Sequence, residues 1–241
     1  MSQVYDCSLR TSRADGLRAA AAAVRSGRLV VLPTDTVYGL GCDAFDGGAV
    51  RSLLSTKRRG PDMPVGVLVG SWSTVDGLVL SVPRSARTLI EAFWPGDLSL
   101  VLHHAPSLSW DLGNTKGTVM IRMPLHPVAL ELLREVGPMA VSSANRSGRP
   151  PATTAAEARD QFGDDVGIYL DGGPSGAAVP STIVDMTGSS PLVLREGAVS
   201  VAAVAEVLGS PVEAVGRSTW PSEGGPEVRP SGQSRKGSDS V

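Results

Sequence analysis

Apolar positions follow two rhythms along this chain, short contiguous runs and helical spacing, and they interleave almost to its end. Leu17, Ala20, Ala21 and Val24 recur at helical intervals, which predicts a helix over Asp15–Ser26 with Gly27 as its stop. The same spacing predicts helices over Ala49–Thr56, Pro83–Phe93, His126–Val136, Thr154–Phe162 and Val201–Leu208. Proline stands in the first turn of two of them, and Thr153 or Thr154 with Glu157 supplies a capping signal for another. Short apolar runs predict strands at Leu29–Leu32, Val65–Val69, Leu98–Leu102, Thr118–Arg122, Met139–Ser142, Ile168–Leu170, Thr182–Asp185 and Leu192–Arg195. This interleaving is the pattern of an α/β fold. Several strands follow one another late in the chain, so the expected sheet is mixed rather than all-parallel. No internal repeat is evident.

From residue 210 the pattern stops. The last stretch, 210–241, is poor in aliphatics and rich in Gly, Pro and Ser, and reads as a disordered polar tail after a domain over 1–209.

Composition narrows the picture. The chain has 241 residues, 41% hydrophobic and 19% charged, which suits a soluble globular protein. Aromatics are only 4%, so aliphatics and alanine must fill the core. A net charge of -2 argues against a broad basic face for duplex nucleic acid but leaves room for a local cationic pocket. Cys7 and Cys42 have no spacing for zinc, and nothing marks the chain for export or for a membrane. The expected location is the cytoplasm.

Three segments break the core-building pattern: LPTDTVYGLGCDAF at 32–45, STKRRGPDMP at 55–64 and VSSANRSGRPPAT at 141–153. They read as loops beside apolar elements, loaded with donors that suit an anion. In the second, Lys57, Arg58 and Arg59 are either a solvated helix end or a phosphate site. On an extended segment Lys57 and Arg59 would share a face and Arg58 would point away. In the first, Thr34 and Thr36 alternate on one face, and Gly39 and Gly41 permit close backbone approach; a plain strand-to-helix turn is the alternative. The third offers Ser142, Ser143 and Asn145, either to a nucleotide or as an ordinary Ser/Asn turn.

Arg122 ends the apolar run TVMIR, where an unpaired guanidinium would be costly, so it has either a salt-bridge partner or a ligand carboxylate. Ser181, Thr182 and Arg195 are further polar intrusions at strand ends. His103 and His104 read as strand-end residues, and His126 as a helix cap. There is no P-loop, no GxSxG and no HExxH. Such a site would work by positioning and electrostatics.

Taken in order, LPTDTVYGLG, Lys57-x-Arg59 with DMP, FWPGDLSLVL, TVMIRMP, SSANRSG, PSTIVD and LREG resemble the YrdC-like L-threonylcarbamoyladenylate synthase family, across about residues 15–200. The resemblance implies a twisted mixed sheet with flanking helices around a deep cationic cavity. It implies that ATP, L-threonine and bicarbonate give threonylcarbamoyl-AMP, pyrophosphate and water. The product feeds N6-threonylcarbamoyladenosine formation in tRNA through a separate transferase complex. By similarity, Lys57 and Arg59 are the catalytic cations. Thr34, Thr36, Arg122, Ser142 and Ser181 form the threonine and bicarbonate side. Lys57, Arg59, Met63, Thr118, Ser143, Asn145, Pro151 and Arg195 form the ATP side. Mg²⁺ is expected to arrive with the ATP, with Asp35 as an outer-shell contact to its water and no metal ligand from the chain.

The sequence departs from that pattern at three places. Met63 stands where many members have asparagine, Leu68 near a usual histidine, and Asp97 where proline is usual. The chain matches the single-domain form of the family. An alternative reading is an RNA-binding module built on the same cavity. A carbamoyl-phosphate-dependent transferase is a further one, against which the missing zinc-finger cysteines count.

Overall fold

The computed structural model describes residues 1–60, 63–176 and 179–215. In chain order the first half runs β1 (Gln3–Asp6), α1 (Arg10–Arg25), β2 (Val30–Leu32), β3 (Gly39–Asp43), α2 (Gly47–Lys57), β4 (Gly66–Leu68), α3 (Val75–Leu78), α4 (Arg84–Phe93) and β5 (Leu98–His103). The second half runs β6 (Thr118–Arg122), α5 (Pro127–Val136), β7 (Met139–Ser143), α6 (Ala155–Phe162), β8 (Ile168–Asp171), β9 (Thr182–Asp185), β10 (Leu192–Arg195), α7 (Val201–Leu208) and β11 (Glu213–Ala214).

All the strands join one mixed sheet in the order β1-β8-β2-β3-β7-β4-β6-β5-β9-β10-β11. β2, β3, β7 and β4 are antiparallel neighbours, whereas β4 with β6 and β5 with β9 run parallel. Alternation along β2 sorts its side chains: Val30 and Leu32 pack toward α1 and α5, and Val31 joins the larger core on the other side. The larger core takes Val50, Leu53 and Leu54 of α2, Ala86, Leu89 and Ile90 of α4, and Phe162 of α6.

The helices form where the sequence places their signals. Asp46 caps α2 by accepting from the Gly48 and Ala49 amides. Thr154 caps α6 by accepting from the Glu157 amide, and the Glu157 carboxylate accepts from the Thr153 amide at 2.7 Å, one residue before the cap. α5 opens on Pro127 and stops at Gly137, whose φ of 87° suits glycine. His126 stands at the N-cap position of α5, but its ring makes no capping bond.

Three corrections to the sequence-based elements bear on the site. The first loop segment contains a central strand, β3, paired to both β2 and β7. Its glycines make room for neighbours: a Cβ at Gly39 would lie 2.6 Å from a Val141 methyl, and one at Gly41 would lie 2.9 Å from Met139 Cε. The polar N-terminus supplies edge strand β1, parallel to β8. Residues 210–215, assigned by composition to the tail, instead continue the sheet: Glu213–Ala214 pairs with β10, and Val212 packs on the core. The remainder of that tail lies outside the described residues. Among the described residues no helix is long and apolar enough to cross a membrane.

Candidate active site

The site is a cleft with about 120 Å³ of interior space. It lies where the segment after β2, the C-terminal part of β6, β7 and the start of β9 meet. Its polar lining is Thr34, Thr36, Arg59, Ser99, Arg122, Ser142, Ser143, Ser181 and Arg195. Its apolar walls include Val67, Leu68, Ile121 and Val141. Eight of the sequence-derived site residues therefore converge: Thr34, Thr36, Arg59, Arg122, Ser142, Ser143, Ser181 and Arg195. The departure Leu68 forms part of the apolar wall, so a hydrocarbon faces the ligand there.

The threonines are tied by one turn. Thr34 Oγ1 donates to the Val37 carbonyl at 2.6 Å and lies 3.1 Å from Thr36 Oγ1. Thr36 Oγ1 in turn accepts from Arg122 Nη1 at 2.9 Å. Both hydroxyls are buried, which fixes their rotamers ahead of any ligand.

Arg122 is the electrostatic centre. Its Nε donates to the Gly96 carbonyl at 2.8 Å, and its Nη2 donates to Asp35 at 2.5 Å and to Asp97 at 3.1 Å. The salt-bridge alternative is thus realised, by two carboxylates on one nitrogen. Asp35 serves the guanidinium through Oδ1. Burial pushes the Asp35 carboxyl up, but the adjacent Arg122 charge and hydrogen bonding outweigh it and hold the group below the usual carboxylate range. Burial first, and then Asp35, push Asp97 up to about 6.

Lys57 is the last residue of α2 and only 2% exposed. Its Nζ donates to the Ser143 carbonyl, to the Asn145 carbonyl at 2.9 Å and to Asn145 Oδ1 at 3.3 Å. It braces the SSAN loop from behind instead of lining the cleft. The next residue, Arg58, is left-handed (φ 55°) and exposed, which swings Arg59 to the cleft, where Nη1 donates to Ser142 Oγ at 3.1 Å. The shared-face expectation for Lys57 and Arg59 is thus corrected: a helix end and a left-handed turn, not strand alternation, bring both to the same loop.

The other ATP-side residues stand back from the cleft. Asn145 is buried and locks the loop, its Nδ2 donating to the Arg149 carbonyl at 2.8 Å. Thr118 is at the opposite end of β6 from Arg122 and donates to the Thr115 carbonyl at 2.7 Å. Met63 and Pro151 are half-buried on flanking loops. Pro61 and Asp62, which the sequence expects to stiffen the Arg59 loop, lie outside the described residues. His103 and His104, at the far end of β5 from Ser99, do not line the cleft.

Ser99 is a site residue the sequence analysis misses. It is 3% exposed, lines the cleft and lies 2.9 Å from Ser181 Oγ. A lone hydroxyl alternating with leucines in LSLVL is the signal that marks it. Arg195 Nη2 donates to the Ser181 carbonyl at 2.9 Å, so β10 and the start of β9 hold each other at the cleft's edge. Among the described residues no group of three or more His, Cys, Asp or Glu could hold a metal ion.

Comparison with known proteins fits this geometry. Residues 22–197 match the Sua5/YciO/YrdC family model, whose description reads "Telomere recombination". A Mycobacterium tuberculosis H37Rv relative, provisionally named a threonylcarbamoyl-AMP synthase, is 63% identical over 87% of this chain and 96% of its own. The threonylcarbamoyl-AMP synthase of Bacillus subtilis is 42% identical over 79% of this chain and 56% of its own. The structure of Pyrococcus abyssi Sua5 complexed with L-threonine superposes with a TM-score of 0.83 at 33% identity, covering 89% of this chain and 62% of that one. The chain belongs to the Sua5/YciO/YrdC family.

Proposed function

We infer that this protein is a threonylcarbamoyl-AMP synthase, joining L-threonine, bicarbonate and ATP into threonylcarbamoyl-AMP with release of pyrophosphate and water. The observation that carries this is the convergence of Arg59, Arg122 and Arg195 with the hydroxyls of Thr36, Ser142 and Ser181 in one cleft. The relatives' shared activity name and the threonine-bound Pyrococcus structure support the amino-acid half.

The chemistry explains the cations. The threonine amine captures carbon dioxide to become a carbamate. A carbamate oxygen then attacks the α-phosphorus of ATP, and the bond to the bridging oxygen of pyrophosphate breaks. Two anions must approach each other, and fixed donors in a partly dry cleft lower that cost. Arg122 is assigned to the threonine α-carboxylate, with Thr34, Thr36, Ser142 and Ser181 around the amino acid. Arg59 is assigned to the phosphates. Lys57 adds its charge behind the loop that carries Ser143 and Asn145. Arg195 is assigned to the nucleotide side together with Ser143, both of which line the cleft, whereas Thr118, Met63 and Pro151 stand back from it.

Mg²⁺ enters with ATP as part of the substrate. The chain's own carboxylates near the cleft are engaged with Arg122, and this fits a metal held by phosphate oxygens and water. A mixed anhydride of this kind is an activated donor. It suits a separate transferase complex that moves the threonylcarbamoyl group to tRNA adenosine.

The test is product analysis by mass spectrometry with ATP, Mg²⁺, bicarbonate and threonine, with serine and no amino acid as controls. Threonylcarbamoyl-AMP formed with threonine is expected. ATP binding without that product would overturn the assignment.

A further inference from the structure

Arg122 presents its Nη2 to two carboxylates at once, Asp35 at 2.5 Å and Asp97 at 3.1 Å. Its Nε is held by Gly96 and one N–H of Nη1 by Thr36, so a carboxylate that grips the guanidinium through two nitrogens must share Nη2. With both acids ionised, one guanidinium faces two negative charges, and the cluster carries a net charge of about -1. An incoming α-carboxylate would be a third anion on the same group. The two acids are not equivalent. The Asp35 side chain is 12% exposed, whereas that of Asp97 is 34% exposed and so is the one able to yield.

Asp97 is also rigidly presented. It sits on the turn between α4 and β5, where Trp94 Nε1 donates to the Leu98 carbonyl at 2.6 Å and the Gly96 amide donates to the Met123 carbonyl at 2.9 Å. The Thr182 amide donates to the Asp97 carbonyl at 2.9 Å, which ties the turn to β9 beside Ser181. A Cβ at Gly96 would lie 2.5 Å from the Phe93 carbonyl oxygen, so the turn has little freedom. Nothing in the proposed reaction uses this carboxyl, and the sequence singles it out as a departure.

We propose that Asp97 is a positioning residue for the amino-acid substrate: it occupies on Arg122 the donor that the incoming α-carboxylate needs, so that binding exchanges one carboxylate for another. The inference rests on the assignment of Arg122 to the threonine carboxylate. Asp97 orients the empty guanidinium, and it restricts the site to ligands whose carboxylate competes for the guanidinium. The charged and titratable groups around it are Asp35 from the segment after β2 and Arg122 from β6, with His126 at the start of α5 acting on Asp35. The raised affinity of Asp97 for a proton supports the exchange, because a protonated Asp97 leaves Arg122 and Asp35 as a neutral pair.

The experiment is calorimetric titration of the purified full chain, without bicarbonate, using L-threonine and L-threoninol, the analogue lacking the carboxylate. Wild type, Asp97→Asn and Asp97→Ala are compared at pH 7.5. Asp97→Asn keeps the side-chain shape and removes the charge. The expected result is threonine binding about tenfold tighter in both variants, with threoninol binding unchanged or weaker. In wild type, threonine affinity should fall as pH rises through about 6, and in Asp97→Asn this step should vanish. A step due to His126, which does not touch Asp97, would persist in the variant. If wild type prefers threonine to threoninol and the variants bind threonine no more tightly, the Asp97 inference fails alone. If no protein distinguishes threonine from threoninol, the carboxylate assignment of Arg122 fails and takes the inference with it.

Discussion

Lys57 Nζ donates to the Asn145 carbonyl at 2.9 Å across 88 residues of chain, which locks the end of α2 to the loop after β7. A buried ammonium on several oxygen acceptors is a structural fastening as well as a charge. Lys57→Ala is therefore expected to lower stability by about 2 kcal/mol, which for a chain of this size is a melting-temperature drop of roughly 4–8 °C. It should also abolish product formation. Arg59→Ala should abolish product with little change in melting temperature, since Arg59 is half-buried on the cleft side. Paired melting and activity measurements check this; equal melting temperatures for the two variants would contradict the division of labour.

Arg122→Ala should weaken threonine binding far more than ATP binding, by on the order of 100-fold. It should also destabilise the fold, because Asp35, only 12% exposed, loses its partner. Arg122→Lys should recover part of the stability and little of the affinity, since an ammonium cannot reach Gly96, Thr36 and two carboxylates together. Separate titrations with threonine and a non-hydrolysable ATP analogue decide the matter, and equal losses for both would count against the carboxylate role.

Stability should carry the signature of Asp97. Its folded pKa, about 6, lies above the ordinary 3.8, so the fold prefers the protonated form. The stability this contributes is fully present below about pH 4 and is lost as pH rises through about 6. Asp97→Asn should accordingly melt higher than wild type at pH 7.5, with the gap closing near pH 4. Asp35, whose pKa is lowered, acts in the opposite direction, and part of that lowering comes from its hydrogen bond with Asp97, so the measured gap reports the pair. Thermal melts from pH 4 to 8 measure the gap directly, and a constant difference across that range would contradict the assignment.

Gly197→Ala should be severely disruptive. A Cβ there would lie 2.1 Å from the Pro180 carbonyl oxygen and 2.7 Å from that of Ser181, and backbone cannot give way as a flexible side chain can. The strain falls on the segment joining Ser181 to Arg195, so threonine binding and melting temperature should fall together. A variant with wild-type melting and wild-type affinity would show that this segment is free to shift.

Much of this architecture is legible in the sequence because hydrophobic period and caps act locally. The α5 signals, Pro127 at one end and Gly137 at the other, are of that kind. β3 escapes because GLGCD reads as a loop; its glycines serve the Val141 and Met139 side chains on the next strand, a constraint that pairing alone reveals. Ser142, Ser181 and Arg195 are found because polar groups interrupt apolar strands. The second carboxylate on Arg122 is not found, since Asp97 reaches it only through a turn 25 residues away. The sequence expects Lys57 as a site cation on one face with Arg59, but the helix runs through Lys57 and a left-handed Arg58, which no composition rule foresees, redirects Arg59 alone to the cleft.

If the arginine cleft makes threonylcarbamoyl-AMP, its products and their dependence on Arg59 should be visible in a single assay. Purified wild type and Arg59→Ala are incubated with ATP, Mg²⁺, bicarbonate and threonine, and the products are resolved by mass spectrometry. Wild type is expected to give threonylcarbamoyl-AMP and pyrophosphate in equal amounts, dependent on both threonine and bicarbonate, and Arg59→Ala neither product. Pyrophosphate released without threonine, or product retained in Arg59→Ala, would contradict the assignment.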